Sequence, residues 1–147
     1  MTRAAALLAP GHALDIACGS GRHAVWLHQH GWKVTAVDRN ADAIAQLRAA
    51  FPSIDARVID LEADVSVIEP DTYDLVVCWL YHQPDLYPLI RAAVRPGGIV
   101  ALCVLLEGRF AARPDELRSH FEGWTILHSG EWFSRHKAYE IIARFDP

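Results

Sequence analysis

Lysine is nearly missing from this chain: Lys33 and Lys137 are its lysines, and every other basic side chain is an arginine standing apart from the next. With a net charge of -4 over 147 residues, no basic face forms of the kind that phosphate-backbone binding requires, so nucleic acid is not an expected partner. Cysteine is sparse as well. Cys18, Cys78 and Cys103 make no CxxC pair, and an odd number leaves one thiol over in any pairing; reduced, buried thiols of a cytoplasmic protein are the expected state. No apolar run reaches the length of a membrane span, and Ala4 to Ala9 is too short even for a signal core. Low-complexity tracts and internal repeats are absent. What remains is ordinary globular material, 52% hydrophobic and 22% charged, of a length that suits one domain over residues 1–147. The expected partner is a small molecule, with neither nucleic acid nor membrane, and the oligomeric state is left open.

Hydrophobic runs and turn residues then order the chain. MTRAAALLAPG reads as a short helix closed by Pro10 and Gly11, delivering the chain into a strand at Ala13 to Ala17. A glycine loop follows, then a helix beginning around Ala24 and capped by Gly31. Lys33 to Val37 is a β-branched strand ending at Asp38, and Ala41 to Ala50 is a helix with Asn40 as its N-cap. Strands are expected at Ala56 to Ile59, ending on Asp60, at Asp74 to Trp79, and at Ile99 to Leu106, with a helix at Leu86 to Val94 before the last of these. A helix at Pro114 to Phe121 precedes two strands, Trp124 to His128 and Ala138 to Phe145. The segment joining that pair is too short for a crossover, so the pair is an antiparallel hairpin. Alternating strands and helices with continuous apolar strands predict an α/β fold, a doubly wound, mostly parallel sheet covered on both faces. Ligands of such sheets bind beyond the carboxyl ends of the strands, where Asp15, Asp38, Asp60 and Trp79 converge.

The stretch LDIACGSGRHAVWL over residues 14–27 must choose its ligand. A P-loop needs a lysine and a Ser or Thr after its glycines; Gly21 is followed by Arg22, His23 and Ala24, so a triphosphate is excluded. Gly19-x-Gly21-x-x-Ala24 fits a dinucleotide fingerprint, with Asp38 as its acidic residue. However, Asp15 just before the loop would face an anionic pyrophosphate, and the terminal hairpin is foreign to such domains. S-adenosylmethionine (SAM) meets neither objection: its sulfonium and amino group suit an acidic rim, and glycines 19 and 21 admit its backbone-hugging portions. Asp38 is then the acceptor for the ribose hydroxyls, Asp60 for the adenine amino group, and the Leu61 N–H a donor to a ring nitrogen. Taken singly, each aspartate serves equally well as a loop carboxylate or N-cap. Three closing three successive strands make a site.

These motifs resemble those of the class I SAM-dependent methyltransferases over nearly the whole chain. LDIACGSGRHAVWL is similar to their glycine-rich motif, VTAVDRN to the ribose motif, VIDLE to the adenine motif, and YDLVVCWLYH with RPGGIVALCV to their fourth and fifth strands. Within the superfamily, ACGSGRHA and the hairpin ending most resemble the small bacterial tellurite-resistance-type enzymes. The resemblance implies seven strands in the order 3-2-1-4-5-7-6, the last antiparallel. It also implies a SAM site of Asp15, Ala17, Gly19, Gly21, Asp38, Arg39, Asp60, Leu61 and Trp79. Ala17 replaces the first glycine of the usual D-x-G-x-G-x-G. The segment before the first strand, which in many relatives closes over SAM, is short here.

Methyl transfer to a small molecule is the expected activity, and it asks a protein chiefly to align the acceptor and exclude water. Tyr81 and His82, after the fourth strand, are the expected catalytic residues, His82 as a base where the acceptor is protonated. Trp79 and Tyr81 offer aromatic faces to a cationic donor, or pack against the helices. Arg22 and His23 enter the rim from the first helix, and Glu107, Arg109, Phe110 and Arg113 are expected on one side of an acceptor mouth. His128 and His136 are expected at the surface. No metal site is expected, since His28 and His30 lie two apart on a helix and point away from each other. The alternative activity is non-catalytic SAM binding by a regulatory or partner-activating protein.

Overall fold

A computed structural model describes all 147 residues. After α1 (Thr2–Ala5), strands and helices alternate as β1 (His12–Ile16), α2 (Arg22–Gln29), β2 (Lys33–Asp38), α3 (Ala41–Ala50), β3 (Asp55–Val58), β4 (Tyr73–Trp79), α4 (Leu86–Ala93), β5 (Val94–Leu105), α5 (Pro114–Ser119), β6 (Thr125–Phe133) and β7 (Lys137–Arg144). One sheet contains all seven strands in the order β3-β2-β1-β4-β5-β7-β6. β3, β2, β1, β4 and β5 run parallel, while β7 is antiparallel to both β5 and β6. The expected architecture is the observed one. No helix is long and apolar enough to cross a membrane.

The central strands are apolar throughout because both faces are covered. Alternate residues of β1 and β4 divide between two cores: Leu14, Ile16, Val76 and Cys78 on one face, Ala13, Leu75 and Val77 on the other. Tyr87 and Ile90 of α4 bury against the first face; Leu27 of α2 and Ile44 and Leu47 of α3 bury against the second. Asn40 caps α3 as expected, its Oδ1 accepting from the N–H groups of Asp42 and Ala43 at 3.1 Å. All three cysteines are free thiols, with Cys78 and Cys103 buried.

Two elements differ from their expected bounds. β5 begins at Val94 rather than Ile99, because Val94 pairs with Tyr73 and the ladder then shifts register before Leu75 pairs with Ile99. Arg95 to Gly98 are thus an irregular passage within the strand, where a Cβ on Gly98 would stand 2.9 Å from the carbonyl oxygens of Arg95 and Asp74. The hairpin is also longer than expected. β6 continues through Ser129, Gly130, Glu131 and Trp132 to Phe133, all paired with β7, so the turn shrinks to residues 134–136. Polar residues are tolerated there because β6 is the sheet edge. Smaller shifts occur at α2, which starts at Arg22, and at β3, which starts at Asp55.

Candidate functional site

The site begins where β1 and β4 end side by side. Ala17, just past β1, and Leu80, just past β4, both adopt left-handed backbone at φ 53° and 59°, each at a cost of about 1–2 kcal/mol for an L-residue. The turns are held by backbone hydrogen bonds: Cys18 N–H donates to Val37 O at 2.9 Å, and Leu80 N–H to Cys103 O at 2.7 Å. Ala17 and Leu80 form a ridge, since both line each of the two lobes of the cleft that lies beyond the strand ends.

The first lobe, about 570 Å³, is walled by the glycine loop (Ala17, Cys18, Gly19, Ser20), by Arg22 and His23 of α2, by Trp79, and by the far hairpin. Asp15 lies at its floor, 1% exposed, with Oδ2 accepting from Ala24 N–H at 3.0 Å. It thereby caps α2 from a neighbouring strand, since the α2 N-cap, Gly21, has no side chain to do so. Burial pushes the Asp15 carboxyl up to about 7, against the opposing pull of the Ala24 N–H and Arg22. Burial and Arg22 lower His23 to about 4, so its imidazole is neutral at physiological pH. That ring sits edge-on to Trp79, with centroids 5.1 Å apart. Nε2 of His23 and Nε1 of Trp79 are buried without a hydrogen-bond partner. Nε1 of Trp132 also lacks a nitrogen or oxygen partner and has only the weakly accepting Cys103 thiol beside it.

The second lobe, about 310 Å³, lies between β2, the β3 exit and the β4 exit, lined by Asp38, Arg39, Asp60, Leu61, Tyr81 and His82 among others. Asp38 is fixed by two backbone donors, Gly19 N–H to Oδ2 and Asn40 N–H to Oδ1, both at 2.8 Å. Asp60 Oδ1 accepts from Glu62 N–H at 3.0 Å, while the Leu61 N–H has no partner in the chain. The Tyr81 hydroxyl donates to Gln83 Oε1 at 2.7 Å, and Gln83 Nε2 donates to Leu61 O at 3.2 Å, tying the β4 exit to the β3 exit. Nδ1 of His82 meets the Tyr87 hydroxyl at 2.8 Å, and Nε2 stands 3.9 Å from Glu116 Oε1.

Sequence-derived site residues thus separate into two groups. Asp15, Ala17, Gly19 and Trp79 line the first lobe; Ala17, Asp38, Arg39, Asp60 and Leu61 line the second. Tyr81 and His82, expected beside the acceptor, stand instead with the acidic residues of the second lobe. Gly21 lines neither lobe: a Cβ there would meet the Leu47 methyls at 2.7 and 2.9 Å, so its glycine serves the packing of α2 on α3. Of the expected mouth residues, Phe110 borders the second lobe, while Arg113 is engaged with Asp115 at 2.7 Å. His136, expected at the surface, is exposed and borders the first lobe. Trp132, Ser134 and Arg135 of the first lobe went unseen in the sequence. The signal for them lay in topology, because the start of an antiparallel β7 reaches the rim where the parallel strands end.

A parallel sheet reversed at one edge, with a glycine loop after β1 and a carboxylate after β2, defines the class I methyltransferase architecture. Residues 13–98 match the family model described as a methyltransferase domain, and the chain belongs to the class I SAM-dependent methyltransferases. It is 30% identical over 142 residues to a malonyl-[acyl-carrier protein] O-methyltransferase of Pectobacterium atrosepticum, covering 92% of this chain and 53% of that protein. It is 32% identical over 135 residues to ribosomal RNA small subunit methyltransferase C of Chromohalobacter salexigens, covering 85% and 40%. The crystal structure of TehB from Haemophilus influenzae superposes with a TM-score of 0.87 at 21% identity, covering 99% of this chain and 61% of that one. The chain spans about half the length of the curated relatives it matches.

Proposed function

We propose that this protein binds SAM across the Ala17–Leu80 ridge and transfers its methyl group to a small-molecule acceptor in the first lobe. One observation carries the reading: Asp38, oriented by the Gly19 and Asn40 N–H groups, stands at the end of the strand next to an open glycine loop. A Cβ built on Gly19 would meet nothing within 4 Å, so the space above the loop is free for a ligand's approach. The donor set fits an adenosyl amino acid. Asp38, with Arg39 beside it, would take the ribose hydroxyls; Asp60 and the free Leu61 N–H would take the adenine edge. Ala17, Gly19 and Asp15 would hold the methionine portion, where a neighbouring cation favours the ionised form of Asp15. Bound SAM supplies a methyl group already activated by its sulfonium.

The chain's own residues then have three tasks. Trp79, Trp132, Leu80 and Leu105 wall the first lobe with apolar surface and keep water from the reacting centre. Neutral His23 holds an uncommitted ring nitrogen in the same lobe, able to hydrogen-bond a polar group of the acceptor and orient it. Tyr81 and His82, placed with Asp38 and Asp60, close the adenosine side rather than act on the acceptor. The malonyl-[acyl-carrier protein] relative supports a small acceptor, and a net charge of -4 weighs against RNA despite the ribosomal relative.

Calorimetric titration with SAM, S-adenosylhomocysteine and NAD tests the proposal. Binding of both adenosyl ligands with none for NAD is expected. Binding of NAD alone would overturn it in favour of the dinucleotide reading.

A further inference from the structure

Arginine distribution adds a constraint on the acceptor. Most arginines of this chain donate to a carbonyl, a carboxylate or another side chain of the protein. Arg22, Arg39, Arg109 and Arg135 donate to none, and all four stand around the cleft: Arg22 and Arg135 line the first lobe, Arg39 lines the second, and Arg109 lies over the Phe110 ring at its border. A guanidinium has five donors and no way to become neutral, so an arginine left unmatched in a lobe poor in carboxylates can take an anion.

The two arginines of the first lobe come from separate elements. Arg22 opens α2 directly after the glycine loop, and Arg135 sits in the turn between β6 and β7. The only carboxylate in that lobe is Asp15, buried and already accepting from Ala24. The methionine carboxylate of a bound adenosyl ligand would answer Arg22, its neighbour at the loop. It leaves Arg135 unanswered. The same lobe has an aromatic wall, Trp79 and Trp132, and each indole N–H lacks a nitrogen or oxygen partner. Indole faces favour flat rings, and a small inorganic ion would leave that surface wet.

We infer that the methyl acceptor is a planar organic acid, its anionic group held by Arg135 and its ring against Trp132 and Trp79. The inference rests on the methyltransferase reading above and names the substrate class of that same site. It makes the hairpin tip the specificity element of the enzyme.

The test uses the protein saturated with S-adenosylhomocysteine, so that no turnover intervenes. Benzoate, 4-hydroxybenzoate and indole-3-carboxylate are titrated calorimetrically, each beside its primary amide, with sulfate as a ring-free anion. At least one acid is expected to bind about tenfold or more tighter than its amide, the gain of a charge-assisted pair. Arg135→Gln should bring acid down to amide while leaving S-adenosylhomocysteine affinity within about twofold, since exposed substitutions of this kind rarely disturb folding. Trp132→Leu should weaken acid and amide together, and Trp132→Phe, which keeps a ring, should restore most of the loss. Acids no tighter than amides, no binding of any acid, an Arg135→Gln protein unchanged towards acids, or sulfate as tight as the acids would each overturn the inference. Failure of S-adenosylhomocysteine itself to bind would instead sink the methyltransferase reading.

Discussion

Replacing Asp15 with Asn should stabilise the protein at alkaline pH and weaken its hold on SAM. Asp15 is 1% exposed, and its carboxyl is raised from an ordinary 3.8 to about 7. At about 1.4 kcal/mol for each tenfold change in ionisation, keeping it charged inside the fold costs about 4 kcal/mol above pH 7. The sign follows from linkage. Between pH 3.8 and about 7 the folded protein binds more protons at this site than the unfolded chain, so stability falls as pH rises through that window. Asn presents the same oxygen to Ala24 N–H without the charge, but its amide donors, if unpaired, take back about 1–3 kcal/mol. Asp15→Asn should therefore unfold at higher urea than wild type at pH 8.5, by about 1–3 kcal/mol. Relative to wild type, the variant should gain about 4 kcal/mol from pH 4 to pH 8.5, passing from the less stable to the more stable of the two. His23, lowered to about 4, works in the opposite direction, favouring the folded state above pH 6.5, but it is present in both proteins and leaves the difference intact. The measurement is a set of urea melts of the two proteins across that range. A variant that gains nothing on wild type, or loses ground to it, as pH rises would refute the account of Asp15 as a charge held against its burial.

Further expectations concern the loop and the ribose residue. Gly19 and Gly21 should separate binding from stability. Alanine at 19 projects a methyl into open cleft at φ +56°, so calorimetry should show SAM binding falling more than about tenfold for about 1 kcal/mol of lost stability. Alanine at 21 strikes Leu47 at φ +82° and should cost about 2–4 kcal/mol in urea melts while the folded fraction still binds; the reverse pattern would reassign both glycines. Asp38→Ala should weaken SAM and S-adenosylhomocysteine alike by about 10- to 150-fold, the worth of charge-assisted hydrogen bonds, and equal affinity in the variant would remove the ribose assignment.

The sheet was legible in the sequence because its inner strands are covered on both faces. Runs such as LDI in β1 and DLVVCW in β4 suit a buried parallel strand, and the chain enters the cleft at Ala17, just past the first, and at Trp79, the end of the second. The second lobe was legible for the same reason: Asp38 ends β2, and Asp60 lies two residues past Val58, the register partner of Asp38 that ends the neighbouring β3. Less could be read where solvent relaxes the constraint. Ser129, Gly130 and Glu131 carry no apolar alternation because β6 pairs on one side only, so nothing in their chemistry distinguishes an edge strand from a loop. Read as a loop, this segment ends the hairpin early and leaves Trp132 and Arg135 outside it.

The division of the site follows from the direction of the strands. Five parallel strands bring only their carboxyl ends to the rim, so the second lobe is lined by the β1, β2, β3 and β4 exits, with Phe110 from beyond β5. An antiparallel β7 brings its amino end to that rim, and with it the tip of the β6–β7 turn. The cleft is therefore walled by segments under different constraints. Loops between buried strands are fixed by bonds such as Gly19 N–H to Asp38 and Leu80 N–H to Cys103 O, where left-handed Ala17 and Leu80 show strain accepted to shape the ridge. The turn over the first lobe joins an edge hairpin, touches no buried core at Ser134, Arg135 and His136, and can change its side chains without cost to the fold. On the inference that this turn reads the acceptor, substrate choice could be altered there while the second lobe stays as it is.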